Sequence, residues 1–79
     1  MYYAYVLRSL KNGRFYTGST DNIERRLLEH NSGKSKYTSH VGPFQLLYFE
    51  AFAIRQEAVK REMALKSGQG RQWLKQKFG

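Results

Sequence analysis

Glu62 is the first residue whose position suggests chemistry. Each residue of an ideal helix turns by about 100°. Over residues 53–66 that rotation sets Glu62 in the middle of an arc shared by Ile54, Ala58, Val59, Met63 and Leu65. Glu57 and Lys60 fall on the other side, where charged residues of an amphipathic helix belong. A carboxylate on an apolar face needs a cation, several hydrogen-bond donors or a metal ion. With 14 Lys and Arg in the chain, an ion pair satisfies Glu62 as well as a hard divalent cation does.

Two further groups stand out. Asn22, Arg26 and His30 are spaced i, i+4, i+8 and form one polar stripe on an earlier helix. The stripe flanks the apolar pair Ile23 and Leu27, so Arg26 and His30 either reach over a sheet edge into a cleft or form a solvated basic face. Six Tyr accompany five Phe and one Trp. Filling a small core explains most of these rings, but each buried phenol needs a hydrogen-bond partner. Tyr5 and Tyr16 on adjacent strands present two hydroxyls to one place, or are two half-buried rings with wet tips.

The elements that position these groups are legible. Residues 1–10 carry Tyr2, Tyr3, Tyr5, Val6 and Leu7 and read as a strand. A tight Asn12-Gly13 turn leads to a second strand over 15–20. That turn sets Tyr16 opposite Ser9, on the face of Tyr3, Tyr5 and Leu7. Asp21 is the expected N-cap of a helix over 22–31, with Glu24 as its capping-box partner and Ile23, Leu27 and Leu28 as its core face. Residues 33–42 read as a basic Ser/Gly surface loop and 44–52 as a third strand. A second helix covers 53–66. Ser67-Gly68-Gln69-Gly70 breaks it, and a short helix over 71–78 packs Trp73, Leu74 and Phe78. The order β-β-α-β-α-α predicts an α+β domain, a three-stranded antiparallel sheet flanked by helices.

Length and charge bound the rest. Seventy-nine residues make one domain, expected over 1–79. There is no Cys and there are two His, so disulfide scaffolds and thiolate metal sites are excluded. No apolar run approaches a membrane span and no signal-peptide pattern opens the chain, so a cytoplasmic location is the default. A formal charge of +8 on a chain with 41% apolar residues predicts a folded basic domain. Its commonest partner is nucleic acid.

The ordered set resembles the GIY-YIG nuclease superfamily, and closely its small single-domain bacterial members, the UPF0213-like branch. Tyr3-Ala4-Tyr5 stands for the first strand motif and Tyr16-Thr17-Gly18 for the second. Arg26 matches the Arg of the first helix, His30 the His or Tyr one turn later, and Glu62 the Glu of a later helix. The segments 16–20, 33–38 and 46–50 also look like the single-domain branch. The likeness spans about residues 1–68. Tyr3 and Ala4 replace the Gly and Ile of the first motif, Thr17 replaces the second Ile, and Ser19 stands where repair-type members carry Lys.

The resemblance implies hydrolysis of a phosphodiester in nucleic acid, DNA before RNA, with one divalent cation, Mg²⁺ or Mn²⁺, on Glu62. It implies Tyr5 as general base for water, Tyr16 as an orienting hydroxyl, Arg26 as a phosphate clamp and His30 as a proton relay or phosphate ligand. Arg8, Arg14, Arg25, Lys34, Lys36, Lys60 and Lys66 are the expected backbone-phosphate contacts, which bind without reading sequence. No membrane partner is expected, and targeting falls to an unknown protein partner or a branched structure. The alternative is a nucleic-acid-binding module on the same fold with weak or lost catalysis.

Overall fold

The computed structural model describes residues 1–32 and 42–79. They form β1 (Tyr2–Ser9), β2 (Phe15–Thr20), α1 (Ile23–Asn31), β3 (Phe44–Phe52), α2 (Arg55–Lys66) and α3 (Gly68–Phe78). The strands make one antiparallel sheet in the order β2-β1-β3, the α+β arrangement expected. The loop read over 33–42 and the candidate contacts Lys34 and Lys36 fall outside the described residues, except Gly42.

Period-two alternation along β1 divides the core. Tyr5 and Leu7 face α1, where they pack with Phe44, Tyr16, Ile23, Leu27 and Leu46. Ala4 and Val6 face α2 and α3, against Leu65, Leu74, Trp73 and Phe78. Phe44 and Leu46 reach the first cluster, and Tyr48 and Phe52 the second, although all four are even-numbered. A register shift on β3 divides them: Val6 opposes Tyr48 and Leu7 opposes Leu46, leaving Leu47 as an extra residue. Such a bulge reverses the facing of everything before it.

The β1–β2 loop is longer than a two-residue turn. Ser9 N–H donates to the Arg14 carbonyl and Gly13 N–H to the Ser9 carbonyl, so the loop runs from Leu10 to Gly13. Buried Ser9 Oγ accepts from the N–H groups of Lys11 and Asn12 at 3.1 Å each, and Asn12 Oδ1 accepts from Arg14 N–H. Gly13, at φ +74, supplies the left-handed step. Tyr16 therefore opposes Leu7 rather than Ser9. The register moves by two residues, and the face on which Tyr16 lies is kept.

Three other readings are corrected. The N-cap of α1 is Asn22, whose Oδ1 accepts from Arg25 N–H at 3.0 Å, while Asp21 pairs with the Arg25 guanidinium at 2.6 Å. Leu28 is 70% exposed, and Val59 and Met63 are also exposed. The sheet is narrow, so each helix buries only a thin stripe, Ala58 and Leu65 on α2. The third helix begins at Gly68, with Ser67 Oγ capping Gly70 N–H, so Ser67–Gly70 is a corner rather than a gap. Among the described residues no helix is long and apolar enough to cross a membrane.

The corner depends on Gly70. A Cβ there would run into the Ala64 carbonyl oxygen and lie 2.6 Å from Leu65 Cα. Helix propensity alone makes Gly→Ala in a helix favourable by about 1 kcal/mol. Overpacking against backbone costs about 1–3 kcal/mol, so Gly70→Ala is expected to lower stability. Urea titration of both proteins measures it, and a midpoint equal to or above wild type would contradict the close approach.

Candidate active site

Tyr5 stands midway along the central strand, 4% exposed, with its ring on the α1 side. Opposite it in the β1–β2 register is Gly18. A Cβ built on Gly18 would lie 2.5 Å from the Tyr5 hydroxyl oxygen and 2.7 Å from Cζ. Glycine is what leaves the ring its place.

The Tyr5 hydroxyl lies 3.3 Å from His30 Nε2 on α1. His30 is buried, edge-on to Tyr5 and Phe44. Beside it Asn31 accepts from Phe44 N–H at 2.7 Å and donates to the Phe44 carbonyl at 3.4 Å, tying the last turn of α1 to the start of β3. Burial pushes the His30 pKa below the usual imidazole range, the Arg26 charge pushes it the same way, and Glu29 opposes them. The ring is neutral at pH 7. With its proton on Nδ1, it accepts from the Tyr5 hydroxyl.

Tyr16 packs edge-on against Phe44, and its hydroxyl accepts from Asn12 Nδ2 at 3.4 Å. Arg26, one turn before His30, is partly buried, with Glu29 as a distant partner at 3.8 Å. The other face of β2 carries Phe15, Thr17 and Ser19. Ser19 Oγ donates to Glu62 Oε1 at 2.7 Å, and Lys66 Nζ donates to Glu62 Oε2 at 2.6 Å. The Glu62 side chain is 16% exposed, so its carboxylate is held between β2 and the next turn of α2.

Tyr5, Tyr16, Arg26, His30 and Glu62, from β1, β2, α1 and α2, line one open cleft of about 920 Å³. Residues from both faces of β2 line it, so it passes over the outer edge of that strand, where β2 has no neighbouring strand among the described residues. Arg14 and Lys66 also line it, as do Arg71 and Lys75 of α3. Sequence reasoning missed three of these contributors. The i, i+4 spacing of Arg71 and Lys75 marks a basic stripe, and Ser19 gives no signal of its role until α2 is docked.

Other expected phosphate contacts lie elsewhere. Arg8 donates to the Phe78 carbonyl at 2.7 Å, with its guanidinium 4.9 Å from the centre of the Phe15 ring. It secures the end of α3 and does not line the cleft. Arg25 is paired with Asp21, whose carboxyl it holds below the usual range, and approaches Glu29 at 3.7 Å. Lys60 is exposed on α2 outside the cleft.

A hard cation fits the acid. Among the described residues no three His, Cys, Asp or Glu side chains group together. A metal at Glu62 would therefore take its remaining ligands from phosphate oxygens and water, a pattern suited to Mg²⁺. The Lys66 ammonium at Oε2 already occupies a position that favours positive charge.

Comparison with known proteins agrees with the fold. The GIY-YIG catalytic domain model matches residues 1–76. The UPF0213 protein of Staphylococcus saprophyticus is 42% identical over 67 residues, covering 84% of this chain and 80% of that protein. The UPF0213 protein of Staphylococcus haemolyticus is 40% identical over 75 residues, covering 94% and 90%. The solution NMR structure of the UPF0213 protein BH0048 from Bacillus halodurans is 38% identical, with a TM-score of 0.56, covering 100% of this chain and 87% of that one. The chain thus belongs to the GIY-YIG catalytic domain family, and membership implies a nuclease that binds nucleic acid.

Proposed function

We propose that this protein is a divalent-metal-dependent endonuclease that hydrolyses phosphodiester bonds in nucleic acid, DNA before RNA, in the cleft over the β2 edge. One observation carries the reading: two phenols, a guanidinium, a neutral imidazole and a carboxylate, drawn from four elements, line the same basic cleft. A binding surface needs cations. It has no use for a carboxylate held in place among them.

In this mechanism Arg26 holds a non-bridging oxygen of the scissile phosphate and stabilises the charge that builds there. Tyr5 takes a proton from the attacking water. A free phenol has a pKa of about 10 and imidazole about 6.5, a gap of about 5 kcal/mol, and burial weakens His30 as a base further, so a fully formed phenolate made by proton loss to His30 costs more than that. A relay avoids that cost: Tyr5 accepts the water proton as its own passes to His30 Nε2, 3.3 Å away. Tyr16 orients the water or the phosphate. Ser19 holds Glu62 through Oε1. The cation, when bound on Glu62, neutralises charge at the phosphate and the departing 3′ oxygen.

The Glu62–Lys66 pair favours a second reading, because an ammonium at 2.6 Å already neutralises the acid. In that reading the domain binds nucleic acid and does not cut it. Cleavage of linear and branched DNA with and without Mn²⁺ separates the two. Under the nuclease reading, Glu62→Gln and Tyr5→Phe abolish metal-dependent cleavage and Arg26→Ala lowers its rate about 10²–10³-fold. Cutting that survives all three changes would place the chemistry elsewhere, and metal-independent binding with no cutting would establish the second reading.

The neutral His30 also sets a pH response. Its pKa is lower folded than unfolded, so as pH falls through about 6.5 the unfolded chain gains its proton first. Stability contributed above that pH is lost below it. The melting temperature is expected to fall between pH 7 and pH 5.5, and His30→Gln should remove most of the drop. An equal drop in that variant would assign the response to another group.

A further inference from the structure

Acids are few in this chain, and their placement decides which cations remain uncompensated. Asp21 and Glu29 approach Arg25, Glu50 pairs with Arg61 at 2.6 Å, and Glu62 pairs with Lys66. Arg14, Arg71 and Lys75 line the cleft, and among the described residues none of the three is in an ion pair. The α3 side of the cleft therefore carries unanswered positive charge.

Its source is α3, a helix that divides its cations. Lys77 is exposed but lies outside the cleft, its Nζ 5.0 Å from the Trp73 ring centre and 5.5 Å from that of Tyr48. Arg71 and Lys75 are exposed and turn toward the cleft. They are one helical turn apart on one face, separated by about 6 Å along the axis. That is close to the axial rise of two nucleotides in one strand, about 3.4 Å each. Leu74, 0% exposed between them, anchors the helix against the sheet, so the two charges sit on a fixed support.

We propose that Arg71 and Lys75 form a phosphate track on α3 that grips the nucleic-acid backbone beside the scissile phosphate, with Arg14 on the hairpin as a third contact. The track rests on the nuclease reading of the cleft. It holds the strand by charge alone and reads no bases. It places the flanking backbone on the Glu62 side of the β2 edge, while Arg26 holds the reacting phosphate from the α1 side.

The test uses the full chain carrying Glu62→Gln, which keeps the substrate intact, and fluorescein-labelled DNA and RNA oligonucleotides in EDTA. Anisotropy titrations from about 50 to 200 mM salt give the slope of log K against log salt. Adding Arg71→Gln and Lys75→Gln together should make the slope shallower by about two and weaken low-salt binding about tenfold or more. Lys77→Gln removes the same charge from the same helix and should leave the slope unchanged. Circular dichroism confirms that each variant folds. A slope unaltered in the double variant, or flattened equally by Lys77→Gln, overturns the track while the cleft reading stands. A parent protein that binds neither oligonucleotide overturns both.

Discussion

The register between β1 and β2 is the constraint on which the site depends. It sets Tyr5 against Gly18 and Ala4 against Ser19, so one strand sends Tyr16 toward α1 and Ser19 toward α2. A slip of one residue would exchange the two faces. Ser19 would lose Glu62, and the Tyr5 ring would meet a side chain instead of a glycine. The Leu10–Gly13 loop guards against this locally, through Ser9 Oγ, Asn12 Oδ1 and the left-handed Gly13. The buried clusters guard against it globally, because Tyr5 and Leu7 fit only the α1 side and Ala4 and Val6 only the other.

The same register makes the edge of β2 usable. A chain of this size buries a smaller fraction of its surface than a larger domain does, and it concentrates that burial on β1, with helices on both faces. Among the described residues β2 is left with an open side. An open strand edge is a liability for aggregation, yet here the surroundings are charged: Arg14, Arg26, Lys66, Arg71 and Lys75 all border the cleft. Arg8 keeps this frame closed at the far end. Its guanidinium meets the Phe78 carbonyl at the C-terminus of α3, where the helix dipole favours a cation, and it covers Phe15 of β2. One side chain joins the central strand, the edge strand and the last helix.

Much of this was legible from periodicity. The pairing of Tyr5 and Tyr16 on one face needed only parity, and parity survived a loop two residues longer than expected. Glu62 was conspicuous because it sits against the stripe of Ala58 and Leu65. Its neighbours Val59 and Met63 misled, since an apolar residue on a helix can be left exposed when the sheet beneath is too narrow to cover it. The bulge at Leu47 left no mark in composition. Nor did the fate of Arg8, whose partner lies 70 residues away. The two glycines after Ser67 resembled a break because glycine is a poor helix former. Gly70 is there for space, and the demand for that space comes from α2, which local reasoning does not see.

The Glu62–Lys66 contact shows how little an ion pair in a structure says about what a group will do next. It is an i, i+4 pair with the Lys side chain 48% exposed, and pairs of this kind contribute about 0.3–0.5 kcal/mol. That is enough to orient the ammonium in the free protein. It is small beside the several charge-assisted contacts a phosphate would make in the same cleft. The hydrogen bond from Ser19 differs in kind, because it comes from a strand rather than from a neighbouring turn. It holds Oε1 whatever happens at Oε2. The carboxylate thus has one oxygen positioned by the fold and one held by a partner that is easily displaced, which is the arrangement a site needs if its acid is to be fixed in place and still open to a cation.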